Sequence, residues 1–381
     1  MTPNRKKEKP MYRKFSRRRA IKSVAVALSF LVSPLASAES DNGYKLETVA
    51  ENLSYPWSLA FLPDGQFLVA QRTGELIRVS SDGKSQTPIS GVPDTYAASQ
   101  GGFFDIVLHP DFESNMTVYL SYAHGSPDAN GTGVVRAVLD GDKLTQSELI
   151  LLVESVKDTA AHYGGRLLFL PDGTLLVTTG DGFDYREMAQ DIGSELGKVL
   201  RVTDDGTPAR DNPYTDSGNL RVWTYGHRNP QGLAINGDTG EIYLHEHGPK
   251  GGDELNILEV GKNYGWPAIT KGVDYSGAVI SPYTELPGME QAQWYWVPSI
   301  APSGLAWYGG DAFPEWRGDL FVGTLVNKDV RRLDMEGGKI VAEESLFGEL
   351  DARIRDVRTG PDGFLYLLTD SEKGKLIRVR P

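Results

Sequence analysis

Short runs of β-branched and aromatic residues recur along the chain, and clusters of Gly, Asp, Asn and Pro separate them. The spacing of apolar positions that is typical of helices is almost absent. Short apolar runs bounded by turn residues are typical of β-strands. The pattern therefore predicts an all-β protein.

A turn signal containing Pro, Asp and Gly accompanies these runs. Three strong and three weaker copies each precede an apolar run, at residues 62–65, 170–173, 360–363, 109–112, 236–238 and 314–319. Pro restricts φ and Gly accepts positive φ, so each copy predicts a tight turn between antiparallel strands. Six copies leave about 57 residues per unit, the size of a four-stranded blade. The sequence predicts a six-bladed β-propeller, with a pair of β-sandwiches as the alternative.

Residues 1–38 have the features of an export signal. A basic run containing Arg17, Arg18 and Arg19 precedes an apolar stretch at 24–35, and residues 36–38 are small. The apolar stretch is too short to remain as a membrane-spanning helix. We expect 1–38 to be a removed signal peptide, 39–381 to form the propeller, and the protein to be periplasmic or secreted without stable membrane insertion. Residues 16–22 resemble a twin-arginine signal, and a Sec signal is the alternative.

Composition excludes several classes of function. Residues 1–38 hold ten basic residues and one acidic residue, so 29 of the 39 basic and 50 of the 51 acidic side chains lie in 39–381, a net charge of −21. Such a chain repels nucleic acid and anionic lipid. The sequence contains no Cys, which excludes disulfides, thiolate catalysis and Cys-ligated metals. Redox chemistry would therefore need a bound cofactor.

Two neighbouring segments are the best candidates for a functional site. Residues 225–232 and 245–254 are rich in Gly and Pro, so their backbone can approach a ligand and direct carbonyl groups at a cation. Carbonyl oxygens together with Glu254 suit calcium. His245 and His247 lie two residues apart, so zinc is the alternative, although no third nitrogen or sulfur ligand is evident.

The order of several motifs gives the chain a family resemblance. It resembles the soluble PQQ-dependent glucose and aldose sugar dehydrogenases over most of residues 55–370. The motifs that carry the resemblance lie at residues 100–102, 162–166, 228–232, 246–249, 263–267 and 353–356. The resemblance implies a quinoprotein that oxidises the anomeric carbon of aldoses to lactones and passes electrons to an external acceptor.

The resemblance also implies roles for individual residues toward PQQ, a planar quinone with three carboxylates. Arginines would clamp those carboxylates through forked donors, and neutral or cationic side chains would add further hydrogen bonds. The implied cofactor-binding residues are Gln100, Arg228, Asn229, Ser299, Lys328, Arg353 and Arg355. Val326 stands where the family has a lysine, so Lys328 is the nearest substitute.

The family's calcium sites and catalytic base match further residues. The carbonyl groups of Gly248 and Pro249 resemble the ligands of the catalytic calcium, and Glu254 with the Tyr264 carbonyl resembles a second site. His162 resembles the general base, and imidazole suits that role because its ordinary pKa is near neutral. Ala161 stands where the glucose enzyme has Asp, so the preferred sugar stays open.

Two other functions are possible for a propeller with these residues: a calcium-dependent lactonase and a non-catalytic sugar-binding protein. Neither needs three arginines around one planar anion, which favours the quinoprotein. Arg353 and Arg355 alternate along a strand, and two such cations would repel unless an anion lay between them. Trp294, Trp296 and Trp307 are candidates for a sugar-stacking surface, with core packing as the alternative.

Overall fold

The computed structural model describes residues 43–154, 157–215 and 219–381. The predicted signal peptide lies outside these residues. The first twelve strands are β1 Lys45–Leu53, β2 Pro56–Phe61, β3 Phe67–Gln71, β4 Glu75–Val79, β5 Gln86–Pro88, β6 Phe103–Leu108, β7 Thr117–Ser126, β8 Ala129–Asp140, β9 Lys143–Leu152, β10 Leu167–Phe169, β11 Leu175–Thr178 and β12 Lys198–Val202.

The second half of the chain continues the same pattern. Its strands are β13 Val222–Tyr225, β14 Pro230–Ile235, β15 Ile242–Glu246, β16 Asp253–Ile257, β17 Trp294–Trp296, β18 Pro302–Trp307, β19 Leu320–Thr324, β20 Val330–Glu336, β21 Lys339–Leu346, β22 Ile354–Thr359, β23 Leu365–Thr369 and β24 Gly374–Arg380. Helical structure in the described residues is limited to α1 Phe112–Asn115 and the 3₁₀ turns Arg186–Gln190, Pro314–Trp316 and Gly348–Leu350. No helix among them is long and apolar enough to cross a membrane.

The strands form six sheets of four antiparallel strands each. Five sheets use consecutive strands, from β2–β5 to β18–β21, and the sixth has the order β1-β24-β23-β22. The first strand therefore completes the last sheet, with Lys45 opposite Arg380. This pairing ties the two ends of the described chain together and closes the ring of blades.

The first strands of the six sheets surround a common axis. Each of β2, β6, β10, β14, β18 and β22 contacts the next, and β22 contacts β2. The predicted six-bladed β-propeller is therefore confirmed. All six turn signals lie between the first and second strands of a blade, as in the turn where Leu62 N–H donates to the Gln66 carbonyl at 2.8 Å and Gly65 has φ of +80°.

Apolar side chains pack between neighbouring blades. Six clusters, one at each blade-to-blade junction, bury residues such as Leu68 with Phe103, and Phe321 with Val357. Burying one large apolar side chain stabilises a fold by roughly 1.5–3 kcal/mol. The clusters hold the blades in place and leave the axis to polar side chains from the innermost strands.

Candidate active site

A cavity of about 300 Å³ opens at one end of the propeller axis. Most of its wall comes from residues at or just before the starts of the innermost strands, and all six blades contribute at least one residue. The lining residues are Trp57, Arg72, Ser99, Gln100, His162, Arg228, Asn229, Gln231, His247, Tyr275, Leu325, Arg353, Arg355 and Asp370. All six residues predicted to bind substrate or cofactor through Arg, Asn, Gln or His side chains are thus brought together: Gln100, His162, Arg228, Asn229, Arg353 and Arg355.

Hydrogen bonds to both its backbone N–H and its imidazole ring fix the position of His162. Its φ of +51° is uncommon for a residue with a side chain, and its N–H donates to Gln100 Oε1 at 2.9 Å. The imidazole is 4 % exposed, and Nδ1 lies 2.6 Å from Asp181 Oδ1. Because a carboxylate oxygen accepts, Nδ1 carries the proton and the lone pair of Nε2 is available for a ligand.

Asp181 is the partner that the sequence reasoning missed. It is buried and also accepts hydrogen bonds from Trp266 Nε1 at 2.7 Å and from the Phe183 N–H at 2.8 Å. A Cβ added to the neighbouring Gly180 would lie 2.1 Å from the His162 carbonyl oxygen, so this position must be Gly for the two segments to meet. The Gly-Asp-Gly run at 180–182 was the available signal.

Electrostatics keep the His162 imidazole neutral. Burial lowers its pKa, the hydrogen bond and charge of Asp181 oppose that effect, and the positive charges of Arg228 and Lys157 lower the pKa further. Burial alone would raise the pKa of Asp181, yet its contacts with His162 and the charge of Arg228 bring the pKa below the ordinary value. A neutral base beside a fixed carboxylate is suited to accept a proton.

Arg228 spans the cavity wall. Its Nη1 donates to the Gly248 carbonyl at 2.6 Å and to the His247 carbonyl at 3.1 Å, while its buried Nε has no hydrogen-bond partner in the described residues. The guanidinium also lies over the Trp266 ring, 5.3 Å from the centroid. A buried donor without a partner indicates that a ligand is needed to complete the site.

Arg353 and Arg355 share one carboxylate. The Nη2 atoms lie 2.9 and 3.0 Å from Asp370 Oδ2, and Arg355 Nη1 donates to Gln231 Oε1 at 3.2 Å. Asp370 is therefore the anion expected between the two arginines. This residue was not predicted from the sequence. Burial lowers the pKa of Arg355, and the charge of Asp370 opposes that effect. The Nε of Arg355 also lacks a hydrogen-bond partner among the described residues.

Arg72 is a fourth arginine of the cavity and was not predicted. It follows β3, and its guanidinium lies 4.8 Å from the centre of the Tyr55 ring. The lining side chains hold four guanidinium groups and one carboxylate, that of Asp370. Burial keeps His247 neutral by lowering its pKa well below the ordinary value. The described side chains that line the cavity therefore carry three more positive than negative charges.

The other predicted cofactor ligands differ in their placement. Gln100 uses its oxygen for His162, and Asn229 Oδ1 accepts from the Gly164 N–H at 3.1 Å, so the NH₂ group of each amide remains for other partners. Ser299 Oγ donates to Asp253 Oδ2 at 2.7 Å. Lys328 Nζ lies 2.7 Å from the exposed Asp351. The structure does not bring Ser299 or Lys328 into the cavity wall.

The segment 248–252 is compact enough to direct carbonyl groups at an ion. A Cβ on Gly248 would lie 2.3 Å from the Gly252 carbonyl, and the Gly248 N–H donates to Asp253 Oδ1 at 2.9 Å. Pro249 lines a small cavity beside the main one, together with Tyr275. Pro249 thus lies beside the main cavity, and the Gly248 carbonyl accepts a hydrogen bond from Arg228 of the cavity wall. Hard oxygen ligands of this kind suit calcium.

Glu254 lies in a second small cavity with Glu246 and Gly248. Burial and the negative charge of Glu246 raise the pKa of Glu254 to about 8. Two neighbouring buried carboxyl groups fit a hard cation, because such an ion would remove their repulsion. The Tyr264 ring stacks on His227 with centroids 4.8 Å apart, and His227 Nδ1 lies 2.9 Å from Glu246.

The described residues form no site of the kind that zinc needs. No group of three His, Asp or Glu side chains among them is arranged to hold a metal. His245 is fully buried below the cavity, whereas His247 lies beyond the end of β15 and lines the cavity wall. The two imidazoles therefore do not act as a pair.

Comparisons with known proteins agree with this geometry. The family described as Glucose / Sorbosone dehydrogenase matches residues 53–378. The aldose sugar dehydrogenase YliI of Escherichia coli is 42 % identical over 344 residues, covering 88 % of this chain and 92 % of that protein. The apo-form crystal structure of the soluble aldose sugar dehydrogenase from Escherichia coli is 41 % identical, with a TM-score of 0.85 over 89 % of this chain and 99 % of that one. The PQQ-bound aldose sugar dehydrogenase from Streptomyces coelicolor is 28 % identical, with a TM-score of 0.73 over 88 % and 98 %.

Proposed function

The chain belongs to the glucose/sorbosone dehydrogenase family, and on that premise we propose that it is a PQQ-dependent aldose sugar dehydrogenase. The observation that carries this proposal is the cavity in which four arginines and one carboxylate surround a neutral histidine. An excess of three positive charges matches the three carboxylates of PQQ. When bound there, PQQ would accept a hydride from the sugar and calcium would polarise its carbonyl group.

Arg72, Arg228, Arg353 and Arg355 would hold the cofactor carboxylates. The partnerless Nε atoms of Arg228 and Arg355 supply buried donors, and charge-assisted hydrogen bonds to planar carboxylates are among the strongest in proteins. The free amide NH₂ groups of Gln100 and Asn229 would add neutral donors. The carbonyl groups of Gly248 and Pro249 would bind calcium beside the cofactor, and Glu254 with the Tyr264 carbonyl would bind a second, structural calcium.

His162 would remove the proton of the anomeric hydroxyl. Nε2 would accept that proton while Nδ1–H continues to donate to Asp181. The Asp181 carboxylate would stabilise the imidazolium that forms. The loss of the C1 hydride and the hydroxyl proton converts the cyclic aldose to its lactone. Asp181 thereby sets both the tautomer and the direction of the ring.

Ser299 and Lys328 would act differently from the other predicted ligands. Ser299 supports Asp253, which in turn holds the Gly248 N–H, so its effect on a calcium ligand is indirect. Lys328 would reach the cofactor only after leaving Asp351. We further propose that residues 1–38 direct export, so that oxidation takes place in the periplasm or outside the cell with an external electron acceptor.

Reconstitution tests the proposal directly. Purified protein incubated with PQQ and calcium is expected to reduce an artificial dye when an aldose is added, and absorption spectra are expected to show quinone uptake. His162→Ala should bind PQQ with unchanged affinity and lose roughly 10²- to 10⁴-fold in kcat, the usual contribution of a general base. No quinone uptake by the calcium-loaded protein would refute the proposal, and lactone hydrolysis without quinone would favour a propeller lactonase.

A further inference from the structure

Two aromatic side chains stand exposed at the mouth of the cavity. Phe183 is 42 % exposed and Tyr275 is 59 % exposed. Their rings are nearly parallel, with an interplanar angle of 15° and centroids 6.5 Å apart. Adjacent exposed aromatic side chains beside a concave cavity are typical of ligand-binding grooves.

The pair adjoins the reactive groups. The Phe183 ring meets the His162 imidazole edge to face with centroids 5.0 Å apart, and Arg228 lies 5.9 Å from the centre of the Tyr275 ring. A ligand with one atom at His162 Nε2 would therefore extend over Phe183 and toward Tyr275.

The backbone holds Phe183 in this exposed position at a cost. Its φ of +70° lies in the left-handed region, which is rare for a bulky side chain. The Phe183 N–H donates to Asp181 Oδ1, the same oxygen that accepts from His162. Strained residues of this kind persist where the surroundings enforce them, and they cluster at functional sites.

Polar groups flank the aromatic pair. Arg186 and Asp274 form an ion pair at 3.6 Å, and both line the small cavity to which Phe183 and Tyr275 also belong. Each of the two is about one-third exposed. They place a donor group and an acceptor group next to an apolar surface that is open to solvent.

Together these features match the chemistry of a pyranose ring. The C–H hydrogens on one face of a sugar carry partial positive charge and pack on the electron-rich face of an aromatic ring. The hydroxyl groups at its edge both donate and accept hydrogen bonds, as Arg186 and Asp274 require. A flat, triply anionic cofactor, in contrast, would be drawn to the arginines deeper in the cavity.

The tryptophans considered from the sequence do not compete for this role. Trp294 and Trp296 both donate from Nε1 to Glu343 Oε2, at 2.7 and 3.1 Å. Trp307 packs with them in the apolar cluster between the fourth and fifth blades. None of the three lines the cavity.

We propose that Phe183 and Tyr275, flanked by Arg186 and Asp274, form a carbohydrate subsite that binds the pyranose ring of the aldose and sets sugar affinity. This subsite rests on the proposed sugar oxidation for its substrate. Its role is to bind and orient the sugar over His162, and it takes no part in proton or hydride transfer.

The test separates sugar binding from catalysis. In enzyme loaded with PQQ and calcium, Tyr275→Ala and Phe183→Ala are each expected to raise KM for an aldose by roughly tenfold, the scale of one lost aromatic contact. The Ki of 1,5-anhydroglucitol, which lacks the anomeric hydroxyl, should rise by the same factor. KM and Ki should change by a larger factor than kcat in both variants, and the PQQ affinity of Phe183→Ala, whose side chain does not line the main cavity, should stay near wild type.

Two further variants control for structural effects. Tyr275→Phe retains the ring and should restore KM, whereas Tyr283→Ala, which removes a 54 % exposed aromatic side chain from the same loop, should leave KM and Ki unchanged. Unchanged Ki in both alanine variants, or an equal loss in Tyr283→Ala, would overturn the subsite. Calorimetric titration of the calcium-loaded protein with 1,5-anhydroglucitol supports the subsite if Tyr275→Ala weakens binding, even if the wild type oxidises no aldose.

Discussion

Two clusters of charged side chains lie in contact along the propeller axis, and they differ in how their charges balance. Below the cavity, Asp105, Arg166, Asp356 and Arg358 form a closed ring of alternating charge, with ion-pair distances of 2.6 to 3.6 Å. This axial ring holds two cations and two anions. The cavity above it holds four arginines and only Asp370.

The two clusters meet at Trp57 and Gln231. The Arg166 guanidinium lies 4.2 Å from the centre of the Trp57 ring and donates from Nε to the Gln231 carbonyl, and both residues line the cavity floor. The charges of the axial ring thus balance each other, whereas those of the cavity wall do not. The difference teaches that buried charge alone does not identify a site, whereas an excess of charge of one sign around a cavity does.

The axial ring should matter most for stability. Arg166→Met is expected to lower the free energy of unfolding by about 3–5 kcal/mol, because Asp105 and Asp356 would keep only Arg358 as a buried counter-charge. Urea unfolding of the cofactor-free protein measures the loss. Arg201→Met, which removes a guanidinium paired with the more exposed Asp172 and Asp211, should cost about 1 kcal/mol or less. A similar small loss for Arg166→Met would remove the distinction between the clusters.

The cavity should respond in the opposite way. Arg355→Met is expected to weaken PQQ binding by roughly 10- to 100-fold, the effect of losing one charge-assisted contact. The free energy of unfolding should fall less in Arg355→Met than in Arg166→Met, because Asp370 keeps its ion pair with Arg353. Quinone titration and urea unfolding measure the two effects, with Arg317→Met on the exposed Asp311 pair as the control. A large loss of stability with unchanged PQQ affinity would assign Arg355 to the scaffold.

The repeating turns explain why the blade architecture could be predicted. Each blade contains a turn of Pro, Asp and Gly followed by an apolar strand, so local conformation, burial and repeat length all indicate the same fold. The pairing of β1 with β24 could not be read in this way, because 335 residues separate Lys45 from its partner Arg380 and no local signal relates them.

The functional residues that lie within one sequence motif could be predicted, and those that different blades bring together could not. Gln100, His162, Arg228 and Asn229 lie in short runs whose composition is unusual. Arg72 and Asp370 come from separate blades as single charged residues in ordinary turns, so only the fold brings them to the axis. Asp181 comes from a third blade, and the Gly-Asp-Gly run at 180–182 was its local signal. The family resemblance led us to expect Lys328 at the cofactor, but in the structure it forms an ion pair with the exposed Asp351.

The charged groups around His162 also predict the acid limb of activity. His162 accepts a proton only when neutral, so kcat/KM falls as pH drops through its pKa. Asp181 raises that pKa and Lys157 lowers it, and Lys157, whose own pKa burial lowers to about 7, is charged in this acidic range. Asp181→Asn should therefore shift the acid limb to lower pH, and Lys157→Met should shift it to higher pH.

Profiles of kcat/KM against pH in PQQ-loaded enzyme measure both shifts, and they should differ in sign although both variants remove one charge near the same imidazole. Asp181→Asn should also lower kcat at neutral pH, because the ring loses the acceptor that sets its tautomer. Lys157→Met should leave kcat there near wild type, since Lys157 does not line the cavity. Shifts in the same direction would contradict the assignment of His162 as the base, because losing a nearby carboxylate and losing a nearby ammonium change the pKa of one group in opposite directions.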